Sequence, residues 1–241
     1  IAASPTPLTA SELARQLGIP QSNVVRLLQD LNAEGLVRLD SKKAATVGVE
    51  ALRFAWQIKK TATLERTARP LLRQLVDEVG ETATISEYIP SEGVSAIALI
   101  EYGPRSLSYV LEVGEIKHLN AGATGKSILA FLPPREIDAI ITRYELPSVT
   151  ELTTVDVERL GRELATIRAC GYAITTGERI AGAVGVAAPI FAEDGKVFGS
   201  VGVTTPQHRF SADMEEFVSA LVCRHAALLS QLMGGEELAG D

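Results

Sequence analysis

Gln21, Ser22, Asn23 and, one turn further on, Arg26 put amide, hydroxyl and guanidinium groups on one side of a short helical segment. Such groups match the donors and acceptors on base edges, and a helix lying in a major groove reads bases with its early residues. Ser11 in the preceding helix and Arg38, Lys42 and Lys43 beyond it could add contacts to phosphate or the minor groove. These eight residues are the candidate DNA-contacting set. A solvated helix start next to a charged turn would carry the same residue types without any partner.

A second group invites phosphate chemistry. Gly125-Lys126-Ser127 resembles the end of a phosphate loop, but G-x-x-x-x-G-K-[ST] needs a glycine five places before Gly125, and Asn120 stands there. A helix start can still hold an anion through its free N–H groups and its dipole. Ala123, Thr124 and Gly125 therefore read as the carboxylate-holding end of a small-molecule pocket rather than an ATPase site. Glu178 could orient a ligand there, or be a solvated loop charge beside Arg179; the sequence leaves both open. His118, His208 and His225 are scattered, and no G-x-S-x-G elbow is present. Catalytic, metal and cofactor sites are accordingly expected to be none. Cys170 and Cys223, the only cysteines, read as buried reduced thiols.

The elements that must position the first group are legible. Thr9 and Glu12 form a T-x-x-E capping box before a helix whose inner face is Leu13, Ala14 and Leu17. Gly18-Ile19-Pro20 breaks the chain, with proline at the first position of the next helix. That helix carries Val24, Leu27, Leu28 and Leu31, an apolar stripe that belongs inside. Gly35 ends it. Leu36–Leu39 and Ala44–Val47 then form a hairpin with Lys42 and Lys43 at its tip. Capped helix, tight turn, second helix and basic wing make a winged helix-turn-helix over residues 1–47, with Ile1-Ala2-Ala3 as the last turn of a further helix.

The chain has 241 residues and a net charge of −7, unevenly spread. Residues 1–75 hold eleven Lys/Arg against six Asp/Glu, and the remainder twelve against twenty-four. A basic head on an acidic body suits a protein that meets DNA at one end, and speaks against one that coats nucleic acid. No stretch approaches the roughly 18 apolar residues of a membrane span and no signal peptide opens the sequence, so a cytoplasmic protein without membrane contact is expected.

After the wing, residues 48–61 read as a connector helix containing Trp56, and Leu64–Val79 as a second helix that Pro70 should kink or restart. From residue 82 the pattern alternates. Ala83–Tyr88, Val94–Glu101 and Ser106–Val113 read as an antiparallel meander. Gly125–Phe131, Arg135–Arg143 and Val155–Cys170 read as helices, then Tyr172–Thr175, Val184–Phe191 and Lys196–Thr204 as strands. A long helix capped by Ser211 and a solvated tail, Gly234–Asp241, close the chain. Residues 62–241 thus form an α+β domain, a central sheet with helices on its faces.

Three segments of this domain, taken in order, resemble one family. Leu119–Pro134 (LNAGATGKSILAFLPP) and two stretches within Gly171–Pro206, GYAITTGE and GAVGVAAPI followed by SVGVTTP, are similar to segments of the isocitrate-lyase regulator (IclR) family of bacterial repressors and activators. The head is similar too, through PQSNVVRLL and the VGVEAL after the wing. The resemblance covers nearly the whole chain. It implies a ligand-responsive transcriptional regulator with a GAF-like C-terminal domain that binds a small carboxylate effector and forms homodimers or homotetramers on double-stranded operator DNA. It also implies that Asn120, Gly185, Val186, Gly202 and Thr204 belong with Ala123, Thr124, Gly125 and Glu178 in the effector site. The family often has His at 120, Cys or Ser at 185, and Ser at 202 and 204. Two glycines there remove polar donors and add room, so the resemblance implies an acid larger or less polar than glyoxylate, aromatic or longer-chained. The competing expectation is an α+β enzyme that handles acyl or phosphate groups through Gly125 and Lys126, with an accessory winged helix.

Overall fold

The structure, a computed structural model, describes residues 1–2, 4–61, 63–104 and 111–234. The chain divides into two compact units, Ile1–Thr63 and Leu64–Asp241.

In the first unit α1 spans Ala10–Leu17 and α2 spans Gln21–Ala33. The capping box is formed: Thr9 Oγ1 accepts from the Glu12 amide at 3.3 Å, and the Glu12 carboxylate accepts from the Thr9 amide at 2.7 Å. Two of the four orphan donors at a helix start are satisfied in this way. Gly18 closes α1 at φ 65°, and Pro20 occupies the N-cap of α2 rather than its first turn. Strands β1 (Val37–Leu39) and β2 (Ala45–Val47) pair antiparallel, Val37 opposite Val47. Gly48 is obligatory: a Cβ there would stand 2.1 Å from the Gly35 carbonyl oxygen.

The core of this unit is Leu13, Val24, Leu28, Val37 and Ala45. Two residues read as inward face out instead, Leu17 at 61% exposure and Leu27 at 48%. The two helices and the small hairpin cover only the narrower strip of Val24, Leu28 and Leu31, one side of a 3.6-residue period. Helix α3 follows at Val49–Thr61. The Trp56 side chain lies outside the described residues.

The second unit opens with α4 (Thr63–Val79), which runs through Pro70 without a restart. Six antiparallel strands follow, in the order β5-β4-β3-β8-β7-β6. They are β3 Thr82–Ile89, β4 Val94–Glu101, β5 Ile116–His118, β6 Ala173–Thr176, β7 Ala183–Phe191 and β8 Val197–Pro206. Of the expected third strand of the meander, residues 106–110 lie outside the described residues and Leu111–Val113 is not strand; β5 pairs with β4 at Val94–Ala96. Helices α5 (Ala123–Leu129), α6 (Pro134–Tyr144) and α7 (Val157–Cys170) accompany one face, and α8 (Ala212–Leu232) packs with α4 on the other. The sheet separates two cores. Leu72, Leu75, Ile85, Val201, Val203 and Val222 fill the α4–α8 side, and Leu119, Ile128, Leu129, Leu160 and Ala187 the α5–α7 side. Truncating one such fully buried leucine to alanine costs about 2–5 kcal/mol. Cys170, at the last position of α7, is exposed and only Cys223 is partly covered, which corrects the reading of two buried thiols.

Candidate DNA-binding face and effector cavity

Gln21, Ser22, Asn23 and Arg26 are all exposed on α2, while Val24 and Leu28, one or two positions away, are 2% and 4% exposed. The polar start of the helix thus faces solvent because its apolar stripe fixes the rotation. Ser11, Gln21, Lys42 and Lys43 line one cleft of about 340 Å³, with Val25 and Leu39 on its floor. The wing tip is held by Asp40, whose carboxylate accepts from the amides of Lys42 and Ala44, each at 2.8 Å. That pinning leaves both lysine ammonium groups in water, and Arg38 is exposed on β1. All eight residues of the candidate set lie at the solvent face of the first unit.

The second site is a cavity of about 50 Å³ between the start of α5, the turn joining β6 to β7, and strands β7 and β8. Ala123, Thr124, Glu178, Gly185, Val186 and Thr204 line it. An ideal Cβ on Gly185 would lie 3.3 Å from Ala123 Cβ and 3.8 Å from its amide nitrogen, so this glycine keeps the strand clear of the helix start. The amides of that first turn have no helical acceptors. Four threonines, Thr84, Thr124, Thr175 and Thr204, border the same space, and none of their hydroxyls has a hydrogen-bond partner among the described residues.

Three residues of the expected set are placed elsewhere. Asn120 is 3% exposed, and its amide nitrogen donates to the carbonyls of Pro147 and Thr154, at 3.1 and 3.2 Å. It ties loops together outside the cavity lining. Gly125 lies where a Cβ would come within 2.9 Å of the His118 carbonyl oxygen, and so it permits close packing of α5. Gly202 is filled from above: a Cβ would meet Thr124 Cγ2 and Ala187 Cβ, both at 2.9 Å. It adds no room, contrary to expectation, because α5 sits on it.

Glu178 is not a solvated charge. It is 8% exposed, accepts from the Gly122 amide at 3.2 Å and from Lys126 Nζ at 2.6 Å. Lys126, 2% exposed, also donates to Glu163 at 2.7 Å and Thr154 at 3.1 Å. Burial lifts the Glu163 carboxyl, but Lys126, Arg159 and Thr154 outweigh it and hold the group below its ordinary value. With its ammonium committed to two carboxylates, Lys126 has no donor left for a phosphate. Among the described residues no group of His, Cys, Asp and Glu could hold a metal.

The sequence reading missed Lys117. It is 4% exposed, lines the cavity, and makes no hydrogen bond or ion pair among the described residues. Burial, then the nearby Arg179 charge, push its ammonium down to about 8, with Glu115 acting the other way. In Ile116-Lys117-His118 a period-two reading turns the isoleucine inward and the lysine out. The strand does the reverse, with Ile116 at 55% exposure.

A helix-turn-helix head with an exposed polar helix start, in a chain whose second unit is α+β with a small open cavity, is the architecture of a DNA-binding regulator. The family model "IclR helix-turn-helix domain" matches residues 1–41 and "Bacterial transcriptional regulator IclR C-terminal" matches residues 57–231. The chain belongs to the IclR family of bacterial transcriptional regulators. The HTH-type transcriptional regulator BhcR of Paracoccus denitrificans is 32% identical over 235 residues, covering 97% of this chain and 84% of its own. The crystal structure of the Thermotoga maritima IclR superposes with a TM-score of 0.74 at 25% identity, covering 97% of this chain and 94% of that one. An IclR homologue from Microbacterium hydrocarbonoxydans, solved in complex with 4-hydroxybenzoate, has a TM-score of 0.78 at 20% identity and covers 96% of this chain and 93% of its own.

Proposed function

We propose that this regulator senses a small organic acid in the cavity between α5 and strands β7 and β8, and that occupancy changes its hold on operator DNA. The observation that carries the reading is a mostly apolar cavity with a few uncommitted polar side chains at its edge. Thr84, Thr124, Thr175, Thr204 and Lys117 border it, and their side chains make no hydrogen bond among the described residues, so their donors and acceptors are available to a ligand that enters. A water needs about 10–15 Å³ of such space, so the cavity as it stands holds a ligand of a few non-hydrogen atoms. An aromatic acid, as in the Microbacterium relative, requires Leu111 or Arg179 to move outward.

In this reading residues 1–47 are the DNA-binding head, 48–61 the connector and 62–241 the sensing domain. The head works in pairs: two half-sites a helical turn apart need two heads, and operator symmetry mirrors protein symmetry.

Gly185→Leu tests the cavity. Its side chain enters the space beside Ala123, so acid-driven release of DNA is lost while operator affinity stays at the parent's level. Titration of acids into the protein–operator complex reads this out. A Gly185→Leu protein that responds at the parent's acid concentration would sink the assignment.

A further inference from the structure

We infer that Lys117 Nζ is the anchor of the effector cavity and takes the single carboxylate of a monoanionic ligand. The inference rests on the proposal that the cavity is the effector site, and it adds the ligand's charge and the group that reads it.

The argument is an audit of charge. Arg179 is ion-paired with Glu115. Glu178 is paired with Lys126, which also holds Glu163, and Glu163 is held in turn by Arg159. His118, the neighbour in β5, is kept towards its neutral form by burial and by Arg179. Facing β4 presents Ser95 opposite Lys117, and Leu111 closes the space with an apolar side chain. Among the described residues, every charged group around the cavity thus has its counter-charge except Lys117, which is 4% exposed. A buried ammonium with no partner sheds its proton or acquires an anion. One carboxylate balances it; a dicarboxylate would leave a second charge facing Glu178 with no cation to meet it. The four threonine hydroxyls supply neutral donors and acceptors for the rest of a small hydroxy or oxo acid.

A consequence separates anchoring from packing. With the ammonium at about 8 in the empty cavity, much of it is neutral just above that pH, and a bound carboxylate restores the charge. Binding therefore takes up a proton at pH above about 8, and affinity falls as pH rises further.

The test is isothermal titration calorimetry on the whole chain with acetate, propionate, lactate, succinate and 4-hydroxybenzoate and the amides of the monoacids. It is run between about pH 7 and about pH 9 in buffers of different ionisation enthalpy. The expected result is that at least one monoacid binds, its amide and succinate do not, and proton uptake climbs towards one per site across that range. Lys117→Met, which replaces an unpaired buried amine by a similar apolar chain, folds with a Tm at or above the parent's and loses at least tenfold in acid affinity together with the proton uptake. Lys117→Arg keeps acid binding without the uptake. Equal affinity for acid and amide, or uptake that survives in Lys117→Met, overturns the anchor; so does acid affinity unchanged in Lys117→Met but lost in Gly185→Leu, which leaves the cavity assignment standing. Acid binding that persists in Gly185→Leu overturns the cavity assignment itself, and a panel in which no acid binds the parent overturns both.

Discussion

Arg26 and Lys42 both offer positive charge to DNA, but they differ in what they are free to do. Arg26 stands one turn into α2, on the face opposite Val24 and Leu28, where a guanidinium can make a paired contact with a base edge. Lys42 stands at a wing tip pinned by Asp40 and offers a point charge. Arg26→Ala is expected to cost about 1–3 kcal/mol on the operator and much less on unrelated DNA. Lys42→Ala is expected to weaken all sequences alike and to reduce the salt slope by about one. Fluorescence anisotropy at several salt concentrations measures both. A uniform loss from Arg26→Ala would move the recognition face elsewhere. Lys42 is the cleaner of the two wing lysines to substitute, because Lys43 holds φ at 60° and a change there alters the backbone as well.

At the scale of elements, α5 is fixed by what lies under and behind it. Gly125 and Gly202 let it sit close to the strands, and Lys126 bolts it to Glu178 in the β6–β7 turn and Glu163 in α7. Lys126→Met leaves a buried carboxylate without its partner and is expected to cost about 3–5 kcal/mol in urea unfolding at neutral pH, with part restored by adding Glu178→Gln. Glu163 gives the acid limb. Its folded-state value is depressed, so its share of the stability is present above the unfolded carboxyl's range and is lost as pH falls through the folded value. The gap between parent and Lys126→Met should therefore narrow in acid; a gap that stays constant would mean the carboxylates do not feel the lysine. These bolts were hidden in the sequence, whereas the head was legible. The capping box spans Thr9 to Glu12, and the glycine stop and proline start stand two residues apart at Gly18 and Pro20, so each signal is stated locally in the chain. Glu178 acquires its meaning from Lys126, 52 positions away in the sequence, and the edge strand carrying Lys117 is three residues long, too short for alternation to show its orientation.

At the scale of the molecule, residues 1–75 carry an excess of positive charge and the remainder an excess of negative charge, so a polyanion attracts the first part of the chain and repels the rest. A single head reads one half-site. We expect the whole chain to be a dimer or tetramer at micromolar concentration; static light scattering decides, and a monomer there would count against the paired-head reading. The exposed apolar residues Val49, Leu52 and Phe54 on α3 are suitable surface for such a contact.

The sheet of the sensing unit has a core against each face, and β7 and β8 serve both. Gly185, Ala187 and Gly202 stand against α5, while Val186, Ala188, Val201 and Val203 belong to the core shared with α4 and α8, Val186 and Val203 also bordering the cavity. Neighbours along these strands therefore live in different compartments, and a change at one is not made good by a change beside it. Crowding runs across the ladder between Ala187 and Gly202, which oppose each other in register, while at Gly185 it comes from Ala123 in α5 and Thr175 in β6. A larger residue at 202 therefore enters only if Ala187 or Thr124 gives way, whereas at 185 the side chains that must yield belong to α5 and β6, so the two glycines answer to different neighbours.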